Sequence, residues 1–303
     1  MTTSSSSDAI DFTSLGLSPV ALDFGVYELR WYSLAYLAGI FIGYWWVLRL
    51  LKEPGAPMAR RHADDFVLWS ALGVILGGRL GYVLFYNLDY YLTQGTTMFG
   101  VDLPAPFGIL NLRDGGMSFH GGAFGMLFAV WLYARKAGIQ WLRMLDYVAC
   151  AIPIGLFFGR LSNFVNAELW GSVTDVPWAV RFPELVGGAW ILGPPRHPTQ
   201  IYEALTEGLV LFIVLAWLFY KTKARYWPGF LAGTFTFGYG LFRFLIEFVR
   251  LPDRHLTEFA EASGLSMGQW LSLPMIIGGL AVMLTAKKRR QRIEPTLGSD
   301  SVA

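Results

Sequence analysis

The chain has 303 residues, of which 54% are hydrophobic and 15% are charged, and its formal net charge is +2. Soluble domains carry about 25% charged residues, so the composition excludes an ordinary water-soluble domain, and the small net charge argues against a nucleic-acid-binding protein. With one cysteine, Cys150, and four histidines, the sequence offers neither a disulfide framework nor clustered metal ligands, and we predict no metal and no cofactor.

Residues 1–18 are predicted to form a flexible extension, because they begin with a serine run, Ser4 to Ser7, and contain acidic but no basic residues. A cleavable signal peptide needs a basic segment followed directly by an apolar one, whereas the first basic residue here is Arg30. We therefore expect the first apolar helix to be the first membrane anchor.

Seven apolar stretches are long enough to cross a bilayer as helices. They cover residues 31–51, 66–86, 118–136, 145–165, 203–221, 228–248 and 270–286. Tryptophan and tyrosine residues lie near their ends, as in the aromatic belts of membrane proteins. The sequence therefore predicts an all-α polytopic membrane protein with seven transmembrane helices, formed by one domain over residues 19–286.

Glycine is frequent inside the second and third stretches. The positions are Gly77, Gly78, Gly81, Gly121, Gly122 and Gly125. Small residues allow helix backbones to approach closely in lipid, so these positions predict close helix packing.

The Lys and Arg residues predict the orientation in the membrane. Fifteen of the 24 flank the stretches on one side and six flank them on the other. Because positive residues favour the cytoplasmic side, we expect the C-terminus, with its basic tail over 287–303, in the cytoplasm and the N-terminus outside. The exterior connections 87–117 and 166–202 are long enough to form a small head, and the alternation in 176–182 indicates a short strand.

The remaining three basic residues, Arg79, Arg160 and Arg243, fall inside the second, fourth and sixth stretches. A charged side chain at the centre of a bilayer costs at least ~2.5–3.5 kcal/mol and usually marks a functional interior. Each arginine precedes the outer end of its stretch by five to seven residues, so the three are expected at one depth, where planar guanidinium groups suit phosphate. The alternative is that each one reaches the interface or pairs with a structural carboxylate, as Glu247 could pair with Arg243 four residues away.

Other polar residues on the predicted exterior side are further candidates. His120 has the chemistry of a proton carrier, or of an interfacial hydrogen-bonding group. Tyr32 is either a belt residue or a donor to phosphate and ester oxygens. The remaining candidates near the outer ends of the stretches are Tyr239, Asn163, Asn166, Glu168, Arg250, His197 and Glu203.

The segment GRLSNFVNAELWG, from Gly159 to Gly171, resembles the signature of the prolipoprotein diacylglyceryl transferase family. The resemblance continues through RWYSLAY (30–36), GGRLGYVLFYN (77–87), DGGMSFHGG (114–122), RHPTQIYE (196–203), GYGLFRFLIEFVRLPD (238–253) and SMGQWLSLPM (266–275). Together these segments touch every predicted span. The sequence departs at Ser162 and Ala167, where family members often have glycine; both residues are small, so we expect the packing to be preserved.

The resemblance implies a seven-helix enzyme of the bacterial inner membrane with a periplasmic head and an active site that faces the periplasm. It implies phosphatidylglycerol as donor and the lipobox cysteine of a prolipoprotein as acceptor, with a thioether and glycerol 1-phosphate as products. The phospholipid-binding and catalytic residues of the family correspond here to Arg160, Asn163, Asn166, Glu168, Gly171, His120, Tyr32, Tyr239 and Arg243. The spacing argument adds Arg79, Glu247 and Arg250 as candidate substrate-binding residues.

Our hypothesis from the sequence is that Arg160 and Arg243, with Arg79 as a further candidate, hold the donor phosphate. His120 is the first candidate for the base that removes the thiol proton, and a polar surface around Tyr32 that lowers the thiol pKa is the alternative. Two other functions remain open. A lipid transporter would also need buried arginines but would be expected to have broken helices in two repeats, and a non-catalytic assembly factor would not need buried cations.

Overall fold

The computed structural model describes residues 9–26, 28–98, 100–112, 115–251 and 263–290. Most of these residues are helical. The α-helices are α1 (Trp31–Leu50), α2 (Arg60–Tyr86), α3 (Leu88–Thr93), α4 (Phe119–Lys136), α5 (Trp141–Ala149), α6 (Ile152–Val165), α7 (Thr199–Glu203), α8 (Leu211–Lys221), α9 (Phe230–Ile246) and α10 (Met267–Thr285). A π-helical segment, Ala204–Val210, joins α7 to α8.

Helices occupy all seven predicted spans, and five of them are long and apolar enough to cross a membrane. These five are Trp31–Leu50, Arg60–Tyr86, Trp141–Val165, Thr199–Lys221 and Met267–Arg289. The apolar helix α9 has only 17 residues, and the hydropathy of α4 is reduced by His120 at its start and by Arg135 and Lys136 at its end. The chain is therefore a polytopic membrane protein.

Two of the predicted spans are not continuous α-helices. The fourth is broken between α5 and α6, where Pro153 occupies the first turn of α6. The fifth contains the π-helical segment, in which one wide turn changes the direction of the side chains that follow it. Both irregular regions adjoin residues of the candidate site.

Short strands amend the all-α prediction. They are β1 (Ile10–Asp11), β2 (Val20–Asp23), β3 (Glu28–Arg30), β4 (Thr96–Met98), β5 (Val101–Leu103), β6 (Val180–Val186) and β7 (Ala189–Arg196). β2 pairs with β3 and β4 with β5, while β6 lies between β1 and β7 in a three-stranded sheet. The strand expected over 176–182 thus begins later, at Val180, and continues to a turn at Gly187 and Gly188, which both have positive φ.

The predicted flexible extension is wrong for residues 10–15. β1 pairs in parallel with β6, and the Ile10 amide donates to the Ala179 carbonyl oxygen at 2.8 Å. Phe12 is buried against Phe164 and Phe182. Burial of this aromatic side chain against the sheet stabilises the position of residues 10–15. Residues 1–8, which contain the serine run, lie outside the described part of the chain.

The described residues form two compact units, one from those within 9–50 and 145–290 and the other from those within 51–144. In the second unit, α2 packs on α4 through the predicted glycines. A Cβ atom on Gly81 would lie 2.8 Å from Gly121 Cα, and one on Gly77 would lie 2.6 Å from Gly125 Cα. The close packing expected at these positions is confirmed.

In the first unit, α9 is held at its start by Asp146 of α5. The fully buried Asp146 carboxylate accepts hydrogen bonds from the Gly229 and Ala232 amides, each at 2.8 Å. Amides at a helix N-terminus have no partner within the helix, so this carboxylate caps α9 from a neighbouring element. The cap anchors the helix that carries Tyr239 and Arg243.

We predict that Gly121→Ala destabilises the protein by about 1–3 kcal/mol, because the new methyl group has no room against α2. Thermal unfolding in detergent, followed by tryptophan fluorescence, measures the effect. Gly278→Ala is the matched control, since a Cβ atom there meets nothing within 4 Å. Equal melting temperatures for the two variants would contradict the proposed packing.

Candidate functional site

The centre of the candidate site is Glu203, the last residue of α7, whose carboxylate contacts three guanidinium groups. Its Oε1 atom accepts from Arg243 Nη1 at 2.5 Å and from Arg250 Nη1 at 2.9 Å. Its Oε2 atom lies 3.1 Å from Arg160 Nε. Two of the predicted intramembrane arginines, from α6 and α9, therefore meet on one carboxylate, together with Arg250.

The cluster has its positive groups on the accessible side. The side chains of Arg160, Arg243 and Arg250 are 18%, 17% and 11% exposed, whereas that of Glu203 is fully buried. The carboxylate thus lies beneath a layer of guanidinium groups that retain access to a ligand. Guanidinium groups held in this way suit a phosphate, because their planar donors match adjacent phosphate oxygens.

Glu247 is the second carboxylate that contacts these guanidinium groups. Its Oε1 atom lies 2.6 Å from Arg243 Nη2, which confirms the predicted pairing along the helix, and 3.6 Å from Arg250 Nε. Its Oε2 atom accepts from the Ser266 hydroxyl at 2.6 Å, and Ser266 is the N-cap residue of α10. Gly268 leaves room for this carboxylate, since a Cβ atom there would lie 2.5 Å from Glu247 Cδ.

Glu207 lies one turn after Glu203, within the π-helical segment. It is fully buried, and its nearest cationic contact is Arg160 Nη2, 3.8 Å from its Oε2 atom. Neither of its carboxylate oxygens has a hydrogen-bond partner among the described residues. Unlike Glu203, this carboxylate has no hydrogen bond to a guanidinium group of the cluster.

The signature residues after α6 form a tight loop around Glu168. Its Oε1 atom accepts from Asn163 Nδ2 at 2.7 Å and from Asn166 Nδ2 at 3.3 Å. Its carbonyl oxygen accepts from Gln200 Nε2 at 2.6 Å. These bonds connect the end of α6, which carries Arg160, to the start of α7, which carries Glu203.

The backbone of this loop is left-handed on both sides of Glu168. Ala167 has φ of 52° and Leu169 has φ of 59°. Residues other than glycine adopt this conformation at a cost of roughly 1–2 kcal/mol. The departure from the family pattern at Ala167 therefore affects backbone strain rather than packing, whereas Ser162 is accommodated by a 2.8 Å hydrogen bond to the Gly159 carbonyl oxygen.

Gly171 acts through its lack of a side chain. It bridges to Arg250, and its amide donates to the His197 carbonyl oxygen at 2.9 Å. A Cβ atom there would lie 2.5 Å from the Val249 carbonyl oxygen. Its role in the site is thus to let the chain before Arg250 approach closely.

His197 lies beside this bridge, outside the membrane-spanning helices. Burial lowers the pKa of its imidazole below the ordinary value of 6.5, so the ring is neutral at pH 7. Its Nδ1 atom lies 3.2 Å from the Tyr202 hydroxyl. His197 therefore supports the chain around Gly171 without adding a positive charge.

The two candidate tyrosines differ in accessibility. Tyr239 precedes Arg243 by one helical turn, is partly buried and interacts electrostatically with Glu207, Arg243 and Arg160. Tyr32 is 38% exposed in the first turn of α1, interacts electrostatically with Glu168 and Arg160, and its hydroxyl lies 3.1 Å from the Tyr36 hydroxyl. Both tyrosines thus belong to the electrostatic environment of Arg160.

Arg79 lies in the other unit and is bound differently. All five of its N–H groups donate to main-chain carbonyl oxygens, those of Gly108, Ile109, Asn111, Gly115 and Gly116. Its guanidinium carbon also lies 4.8 Å from the centre of the Tyr91 ring. With every donor used and the side chain buried, this geometry favours a role in holding the 108–116 loop rather than the expected contact with phosphate.

His120 belongs to the same unit as Arg79. It is the second residue of α4 and is exposed. Ser118 caps this helix, with its hydroxyl accepting from the Gly121 amide at 3.2 Å. The imidazole is therefore carried by the first turn of a well-capped helix.

Sequence reasoning named Glu203 as a candidate without giving it a role, and it missed Glu207. The cost of burying a charge was applied only to basic residues within the spans, although a buried carboxylate in lipid has a comparable cost. Both glutamates fall within the predicted fifth span, at a spacing that places them on one helix face. The same criterion applied to acidic residues would have identified them.

We predict that Ala167→Gly stabilises the protein by about 1 kcal/mol, because glycine adopts the left-handed conformation without the Cβ penalty. The measurement is the thermal unfolding midpoint in detergent. Ala71→Gly, within α2, is the matched control and should have the opposite effect, a loss of about 1 kcal/mol. A lower midpoint for Ala167→Gly would show that its backbone is not strained.

Comparisons with known proteins find relatives over nearly the whole chain. The model of the prolipoprotein diacylglyceryl transferase family matches residues 19–285. A phosphatidylglycerol–prolipoprotein diacylglyceryl transferase of Zymomonas mobilis is 48% identical over 289 residues, covering 92% of this chain and 94% of the relative. Proteins of the same name from Erythrobacter litoralis and Rhizobium leguminosarum are 45% and 46% identical; the alignments cover 95% and 90% of this chain and 96% and 93% of the relatives.

The family match includes all the residues of the arginine cluster and the signature loop. At this identity over nearly the whole chain, the chain belongs to the prolipoprotein diacylglyceryl transferase family.

Proposed function

We propose that this protein transfers the diacylglyceryl group of phosphatidylglycerol to the lipobox cysteine thiol of prolipoproteins, the first step of lipoprotein maturation. The observation that carries the proposal is the convergence of Arg160, Arg243 and Arg250 on the buried carboxylate of Glu203. An anionic headgroup is the ligand that such a cluster recognises. The names of the relatives supply the substrates.

In the proposed placement, seven helices span the bacterial inner membrane, with the N-terminus in the periplasm and the C-terminus in the cytoplasm. The excess of positive residues on one side supports this orientation. Residues 87–117 and 166–202 form the periplasmic head of a catalytic domain over residues 19–286. The basic tail over 287–303 faces the cytoplasm. Its residues 291–303 lie outside the described part of the chain, as do Arg113 and Arg254, two of the six basic residues on the exterior side.

In the proposed reaction, the acceptor thiol loses its proton and the thiolate attacks the glyceryl carbon that carries the phosphate. A carbon–sulfur bond forms as the carbon–oxygen bond to the phosphate breaks, and glycerol 1-phosphate leaves with the electron pair of that bond. Negative charge increases on the phosphate during this step. Guanidinium groups that are already fixed in place stabilise that charge without having to reorganise.

The remaining residues have supporting roles in this proposal. The loop that positions Arg160 and Arg250 is held by Asn163, Asn166, Glu168 and Gly171. Tyr239 and Tyr32 are further donors to phosphate or ester oxygens. His120 remains the first candidate for the base that accepts the thiol proton. Arg79 is proposed to hold the exterior loop before α4, because all its donors bind carbonyl groups.

We predict that Arg160→Gln lowers the transfer rate at least about 100-fold, because the phosphate loses a fixed positive group in the transition state. Purified protein is incubated with phosphatidylglycerol and a lipobox peptide, and the peptide mass is measured. Arg30→Gln, which removes a charge from an exposed pair with Glu28, is the control and should retain full activity. An unchanged peptide mass with the wild-type protein, accompanied by movement of lipid between leaflets, would instead support a transporter.

We predict that His120→Asn lowers turnover by about 10²–10⁴-fold, the usual contribution of a general base. The measurement is the transfer rate from pH 6 to 9. Unchanged turnover across this range would exclude His120 as the base and favour ionisation of the thiol near Tyr32.

A further inference from the structure

Glu207 is the one member of the cluster whose presence the hydrogen bonding does not explain. Glu203 and Glu247 each bind guanidinium groups directly, whereas the Glu207 oxygens have no hydrogen-bond partner among the described residues. A buried ionisable group without such partners is unfavourable, and apolar residues of similar volume often replace one without loss of stability. When it is ionised, its contribution to the site is therefore a negative charge 3.8 Å from Arg160.

Counting charges shows the effect of this carboxylate. The described ion pairs of the cluster join three arginines, Arg160, Arg243 and Arg250, to three glutamates, Glu203, Glu207 and Glu247. The cluster is electrically neutral when all six are ionised. Without the charge of Glu207 it would have a net charge of +1 while keeping every hydrogen bond between its arginines and the other two glutamates.

A net positive charge would act unequally on the donor and on the product. A phosphodiester such as the donor headgroup carries one negative charge, whereas a phosphate monoester carries about −1.5 to −2 at pH 7. Coulomb energy is proportional to the charge of the ligand, so an additional positive charge would increase the affinity for the monoester about twice as strongly, on a logarithmic scale. A cluster with excess positive charge would therefore retain its product.

We propose that Glu207 sets the net charge of the arginine cluster and thereby weakens the binding of the phosphate monoester product relative to the phosphodiester donor. The inference rests on the proposed function for the identity of donor and product. Glu207 acts through the cluster and does not touch the reacting atoms. It determines how readily the site discriminates between a singly and a doubly charged phosphate.

The backbone around Glu207 is consistent with this placement. The π-helical segment Ala204–Val210 brings the residue to α6, and Gly208 packs so closely there that a Cβ atom would lie 2.8 Å from Phe157 Cα. Phe157 lies one turn before Arg160 on α6. The other charged and polar groups that interact electrostatically with Glu207 are Glu203, Arg243, Arg250 and Tyr239.

The experiment compares two soluble probes, glycerol 1-phosphate and glycerophosphoglycerol, which carry the phosphate monoester and the phosphodiester. Their dissociation constants for the full chain in detergent are measured by calorimetry at pH 8.5. We expect Glu207→Gln to bind glycerol 1-phosphate about tenfold more tightly and glycerophosphoglycerol about threefold more tightly than wild type. Inhibition of transfer by glycerol 1-phosphate should strengthen by the same factor.

Two further variants separate charge from shape. Glu207→Met removes the charge with a side chain of similar volume and should bind like Glu207→Gln, whereas Glu207→Asp keeps the charge and should bind like wild type. Glu28→Gln changes the net charge of the chain by the same amount in an exposed pair and should leave both dissociation constants unchanged. A merely structural role for Glu207 would weaken binding in all three Glu207 variants and would overturn the proposal, as would unchanged affinities in both Gln and Met variants.

The ratio of the two dissociation constants provides a further test. The expected changes imply that Glu207→Gln shifts this ratio toward the monoester by about threefold relative to wild type, because a tenfold gain for the monoester is divided by a threefold gain for the phosphodiester. An unchanged ratio would overturn the proposal. Failure of the wild-type protein to add mass to a lipobox peptide would instead reject the proposed function, so the two failures are distinguishable.

Discussion

The shared carboxylate of Glu203 is the interaction on which the rest of the candidate site depends. Three guanidinium groups that converge on one place repel each other, and each loses hydration when it enters the interior of a membrane protein. A single buried carboxylate that contacts all three compensates for both effects. Because Arg160 comes from α6, Arg243 from α9 and Arg250 from the chain that follows α9, this contact also determines how those segments pack against α7.

Hydrogen bonds in the surrounding structure hold the helices and the loop that carry the cluster. The Ser266 cap of α10 holds Glu247, the Asp146 cap anchors α9, and the Glu168 loop joins α6 to α7. Each of these groups forms hydrogen bonds at the end of a helix, where backbone groups lack a partner within the helix. The site thus lies where helices end or change their winding, and the π-helical segment and the left-handed residues around Glu168 belong to the same pattern.

Arg79 and Arg160 show how one residue type serves two purposes in the same membrane protein. Arg79 directs five donors to carbonyl oxygens of one loop and is 3% exposed. Arg160 pairs with the carboxylates of Glu203 and Glu207 and is 18% exposed. A guanidinium group surrounded by main-chain carbonyls stabilises a loop, whereas one supported from beneath by carboxylates keeps donors available for an anion.

The sequence by itself determined the membrane environment, the positions of the helices, the glycine packing of α2 on α4 and the pairing of Arg243 with Glu247, because each depends on local spacing or on the cost of burying polar groups in lipid. It also identified the family, since the motifs occur in order along the chain. The tertiary structure alone decided that Glu203 is the common partner of three arginines and that Ile10 and Asp11 join a sheet 170 residues away in sequence, at Val180 and Arg181. Such contacts join side chains from segments that are distant in the sequence. Packing geometry decides which of several chemically similar residues become partners, and residue spacing does not encode that geometry.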